Sequence, residues 1–147
     1  MFDVKIDWGD LFRECMDQTL IDYRERVTGE GQPIAATHTM DHSLGDIFRV
    51  QLRSVAAVVY MAIRAGALFY HFAPWGVTYR MKDVEGVPYD VIGVLVKDAL
   101  KYGMLAWWYK SRDVPLFQFY TQEYDKTIAD IHGKITGSYA LRPYRLY

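Results

Sequence analysis

The chain lacks most of what catalytic chemistry would need. It holds a single cysteine, Cys15, among 147 residues. No internal disulfide framework can therefore form, and a lone thiol fits a reducing compartment. No GxxxxGK[ST] or GxGxxG phosphate loop occurs, so Gly29-Glu30-Gly31 reads only as a flexible turn. Neither charge sign is in excess: 17 basic against 18 acidic residues leave a net charge of -1, which gives no global drive toward nucleic acid. The opening MFDVKIDWGD has no apolar h-region, so no targeting leader is expected. Long hydrophobic runs are also missing. The best candidate, residues 55–72, carries Arg64 at its centre. A spanning helix needs roughly 20 apolar residues, and a central Arg costs at least about 2.5 kcal/mol. This stretch therefore predicts a core helix, not a membrane span.

What the chain does have is apolar and aromatic surface. The hydrophobic share is 51% and the aromatic share 16%, with twelve Tyr and four Trp, more than one small core of this length needs. Tyr and Trp are enriched in interfaces, so the surplus predicts contact with a partner. The length fits one domain able to bury a real core.

Periodicity predicts four helices. The first runs from about residue 7 to 27, with Leu11, Phe12, Cys15, Met16, Leu20 and Tyr23 as its apolar stripe and Arg13, Asp17, Arg24 and Glu25 on a solvated face. Residues 28–33 then break the helix, and a long loop continues to about residue 41. The second helix spans about residues 43–70 and becomes apolar almost all round after Val55, as a helix entering a core or an interface does. Residues 77–86 are the only expected strand material, because Val77, Tyr79 and Met81 alternate with Thr78, Arg80 and Lys82. A second short strand at residues 84–87 would complete a hairpin.

The third helix starts at Pro88, whose missing N–H costs nothing in a first turn, with Asp90 complementing the helix dipole. The fourth covers residues 115–135, with Asp113 as N-cap and Gly137 as stop. So brief a link makes the last two helices antiparallel. Leu95, Ala99, Leu105, Tyr124, Ile128 and Ile131 should then face one another across the hairpin. Arg64 should be paired with an acid, with Asp17, Glu14 and Asp98 as candidates. The expected fold is mainly α: a four-helix bundle domain over residues 1–137 with a short β-hairpin-like insertion, followed by an extended C-terminal arm over residues 138–147.

Each candidate site also has a plainer role. His38 and His42 are four apart, a spacing that can put two metal ligands on one helix face, and His71 or His132 could join them. No HExxH surrounds them, so surface or helix-end histidines are the simpler reading. Cys15 sits on the first apolar stripe, which favours a small buried hydrophobe over a nucleophile. Asp125 and Asp130 lack an acid–base partner and fit a solvated face. Neither a catalytic residue, a metal nor a cofactor is assigned. Trp107, Trp108 and Tyr109 are consecutive, and three helical residues span about 200 degrees, so at least one ring should meet a second surface. The arm is rich in Tyr and Arg and has no acid. The expected partner-binding residues are thus Trp107, Trp108, Tyr139, Leu141, Arg142, Tyr144, Arg145 and Tyr147.

The succession of Val87-Pro88, Asp90, a long apolar helix, Trp108-Tyr109, Arg112, a short break and another amphipathic helix resembles the small helical head–tail connector (adaptor) proteins of tailed bacteriophages. The resemblance covers about residues 87–135. The apolar second helix and the long loop at residues 28–41 depart from the usual pattern. The resemblance implies a non-enzymatic virion protein, assembled in the host cytoplasm. It would form a homo-oligomeric ring of about a dozen subunits between the portal protein and tail or neck proteins, with genomic DNA passing through its lumen. The residues themselves leave two alternatives open: a non-viral helical interaction or scaffold domain, and a small metal-dependent helical enzyme.

Overall fold

A computed structural model describes residues 1–25 and 38–137. The predicted arm, with Tyr139, Leu141, Arg142, Tyr144, Arg145 and Tyr147, and most of the long loop lie outside the described residues. In chain order the elements are strand β1 (Phe2–Asp7), helix α1 (Trp8–Glu25), a 3₁₀ turn (His42–Leu44), helix α2 (Gly45–Ile63), strands β2 (Ala67–Ala73) and β3 (Gly76–Met81), and helices α3 (Tyr89–Tyr109) and α4 (Val114–Thr136). The described residues are mainly helical, with four helices as expected.

The expected hairpin-like insertion is instead a three-stranded antiparallel sheet in the order β1-β3-β2. Strand β3 takes the place predicted for it, but both partners come from elsewhere. One is the N-terminus, where Val4 and Ile6 point inward and Asp3, Lys5 and Asp7 outward. The other starts in the last four residues of the predicted second helix and runs three residues past them. That helix stops at Ile63, the chain turns through Arg64-Ala65-Gly66, and Ala67–Ala73 is strand. An almost continuous apolar run fits a period of 2 as well as 3.6, and the Leu-Phe-Tyr-His-Phe content favours a strand. Residues 84–87 form a turn, not a strand.

Arg64 is corrected with it. It is the C-cap residue of α2 and is exposed, so it needs no buried acid. Glu14, one of its expected partners, pairs with Lys97 at 3.1 Å. Among the described residues no helix is long and apolar enough to cross a membrane.

One face of the sheet closes against the helices. Val77, Tyr79 and Met81 are buried, and the Tyr79 hydroxyl donates to the Ala56 carbonyl of α2 at 2.7 Å. Burial pushes that phenol well above its ordinary pKa. The other face is polar, with Arg80 paired to Asp3 across the β1–β3 register and lying over the Phe69 ring at 5.6 Å. Gly76 is required where β3 passes β1, since a Cβ there would stand 2.0 Å from the Ile6 carbonyl oxygen.

Helices α3 and α4 form the expected antiparallel hairpin. Asp113 caps α4 by accepting from the Leu116 N–H at 3.0 Å, and Gly137 ends it at φ 70°. Ala99, Leu105, Tyr124, Ile128 and Ile131 are buried, and Leu95 is half-buried. Gly103 lets α3 approach α2: a Cβ there would lie 2.7 Å from a Val55 methyl.

Candidate functional site

The turn joining α3 to α4 gathers two of the three buried polar or charged residues among the described residues, Thr19 and Asp22. Its first component comes from α1. Leu11, Phe12 and Cys15 are buried as their spacing predicts, but Leu20 and Tyr23 are exposed. The face that continues inward carries Thr19 and Asp22 instead, only 1% and 2% exposed. Asp22 accepts from the Tyr120 hydroxyl at 2.6 Å, the Tyr109 hydroxyl at 3.1 Å and the Gln18 amide at 3.2 Å. A buried carboxylate is tolerable only with such partners. The rings that hold it are stacked, Tyr109 on Tyr120 at 5.8 Å and Tyr102 on Tyr120 at 6.2 Å.

The second component links this hub to the segment entering α2. The Thr19 hydroxyl donates to the Met16 carbonyl and accepts from the Met40 N–H, both at 2.9 Å. The Trp108 indole N–H donates to the His38 carbonyl. Arg112 lies over the Trp108 ring at 3.6 Å and donates to the Trp108 carbonyl at 2.8 Å. Asp41 then caps the 3₁₀ turn by accepting from the Ser43 N–H at 2.8 Å. Four parts of the chain thus meet at one end of the hairpin.

Of the two tryptophans expected to bind a partner, Trp108 is buried and Trp107 half-buried, with ring centroids 6.0 Å apart. Both pack within this domain, Trp108 inside the core and Trp107 against it. Apolar periodicity alone does not single out Asp22 and Thr19. The available signal was their spacing from Leu11 and Cys15, which continues the core face with polar residues.

The hub has little catalytic capacity. Asp22 is sealed from solvent and its neighbours are donors to it, so it serves as a structural acceptor. Burial raises the Cys15 thiol pKa, which disfavours the nucleophilic thiolate. The histidines are scattered: His42 and His71 are exposed, on the 3₁₀ turn and on β2, while His38 and His132 are half-buried. Among the described residues no group of three or more His, Cys, Asp or Glu could hold a metal ion.

Apolar surface remains uncovered on several elements. Ile47, Val50 and Met61 stand on the outer side of α2, Phe69 on β2, and Val91 and Val94 at the start of α3. Exposed apolar residues in contiguous groups mark contact surfaces. Comparisons with protein-family models, curated proteins and solved structures each return no match for this chain.

Proposed function

We propose that the chain is a structural subunit of a homo-oligomeric ring, a head–tail connector between the portal and the tail or neck proteins of a tailed phage, with genomic DNA passing through its lumen. The observation that carries this reading is the α3–α4 hairpin. It is capped by Asp113, locked at its turn by Trp108, Arg112 and the Asp22 hub, and its domain leaves apolar side chains exposed on α2 and α3. A stiff hairpin whose turn is tied to α1 can bear load between neighbours. In the ring the four helices would act as a bundle, and the arm at residues 138–147 would dock on an adjacent subunit or neck protein.

The hub supports a structural role over a catalytic one, because the Asp22 carboxylate is buried and cannot meet a substrate. The net charge of -1 suits a conduit, since a sliding genome must not be gripped by a basic lumen. Negative-stain electron microscopy of the purified full chain tests the reading. Closed rings with an open centre are expected. A population of isolated monomers at every concentration would contradict it.

A further inference from the structure

Two exposed patches lie at opposite ends of the sheet and carry opposite charge. The first surrounds the β2–β3 turn. Arg49, Val50 and Arg53 of α2 line a groove with Phe72 and Pro74. Arg53 lies over the Phe72 ring at 5.3 Å and Arg49 over Trp8 at 5.8 Å, so both guanidiniums are held in place by aromatic faces. Val50 is 70% exposed and Trp75 42%. Asp46 is the acid beside them, which leaves the groove with one net positive charge.

The second patch follows the far end of β3. Asp83, Val84, Glu85, Pro88 and Tyr89 line an open groove, with Asp90 and Val91 beside it on the first turn of α3. Asp83 is bonded to the N-terminal ammonium at 2.6 Å. Neither Glu85 nor Asp90 forms an ion pair among the described residues, so both present their charge outward. Tyr89 is 55% exposed and stacked on Phe2 at 4.4 Å, a fixed aromatic face beside the acids.

Strand β3 separates the two. At about 3.4 Å per residue its five steps set the patches roughly 17 Å apart before the flanking loops are added. They cannot meet within one subunit. A surface that pairs with a different surface on the next copy is heterologous, and repeats of it close into a ring or run on as a filament. The net charge of -1 leaves little long-range repulsion between copies.

From this complementarity we infer that the occupant of the Arg49–Arg53 groove is the Asp83–Val91 segment of a second copy of this chain. The inference rests on the ring reading and names its lateral contact. Arg53 and Arg49 meet Glu85 and Asp90, while Val50 and Phe72 meet Pro88 and Val91.

Charge reversal of the full chain, followed by sedimentation velocity, tests it. Arg53→Glu alone, and Glu85→Arg with Asp90→Arg, should each weaken self-association at least about tenfold, since like charges now face one another. Circular dichroism melts establish that each variant is folded. Mixing the two variants should restore assembly, because every contact again joins opposite charges. If both variants assemble like the parent, the named contact is wrong while the ring reading survives. If each is disrupted but the mixture does not recover, the two patches do not face each other and the inference also falls. A parent chain that stays monomeric overturns both.

Discussion

Removing the Asp22 carboxylate should destabilise the fold well beyond what a surface acid on α1 would. The side chain is 2% exposed and accepts from two hydroxyls that are themselves buried. In Asp22→Leu, Tyr109 and Tyr120 both lose that acceptor. A buried polar group that loses a partner costs up to about 1–3 kcal/mol, so two of them should cost up to about 2–6 kcal/mol. Total stability of a domain this size is about 5–15 kcal/mol, so the loss is a large fraction of it. Tyr109→Phe and Tyr120→Phe remove the donors instead and leave the carboxylate short of partners. The three groups act as one unit. A double-mutant cycle between Asp22→Leu and Tyr120→Phe should give a coupling of about 0.5–3 kcal/mol, because both changes remove the same Tyr120–Asp22 hydrogen bond. Urea unfolding followed by tyrosine and tryptophan fluorescence measures it. Additivity within about 0.5 kcal/mol, together with a loss under about 1 kcal/mol for Asp22→Leu, would show that the carboxylate is solvated and that the hub does not hold the hairpin turn.

Two glycines of α3 should respond in opposite directions. A Cβ at Gly103 meets a Val55 methyl at 2.7 Å, so Gly103→Ala should cost about 1–3 kcal/mol, while Gly93 has nothing within 4 Å and Gly93→Ala should gain about 0.5–1 kcal/mol in thermal or urea unfolding. Asp98 has a raised pKa, chiefly from burial, with Lys101 opposing it. Its folded form holds the proton more tightly than the unfolded chain does, so ionisation works against the fold as pH rises through the carboxylate range. Asp98→Asn should therefore raise stability at neutral pH and lose that advantage below about pH 4, as urea midpoints across pH would report. The thiol of Cys15 is buried and its pKa raised, so an aromatic disulfide reagent at mildly alkaline pH should label it only as fast as the protein opens. Immediate full labelling of the native protein would contradict that burial.

The α3–α4 hairpin was legible in the sequence because each of its signals is local. Pro88 and Asp90 open α3, Asp113 and Pro115 launch α4, Gly137 stops it, and the two stripes have a clear helical period. The sheet was not, because its decisive information is non-local. Ala67–Ala73 is apolar enough to suit either a helix or a strand, and only pairing with β3 decides it. The alternation of Val4 and Ile6 with Asp3, Lys5 and Asp7 was visible, but six residues at a chain end gain strand character only from a partner more than 70 residues away. The error at β2 carried the Arg64 reading with it, since a residue expected in the middle of a buried helix stands at an exposed cap. At the hub, Tyr109 and Tyr120 fit the helical period of α3 and α4, and both are buried. Sequence periodicity gives the inward faces of α3 and α4 but does not reveal that a carboxylate from α1 meets them.

The proposed function requires that this chain close on itself as a ring. Native mass measurement of the purified full chain tests it most directly, taken across a hundredfold range of concentration at low and moderate salt. A closed ring should give one dominant oligomer of fixed subunit number, near a dozen, which weakens as salt screens the charged contact. A monomer throughout, or a dimer that never grows, would contradict it.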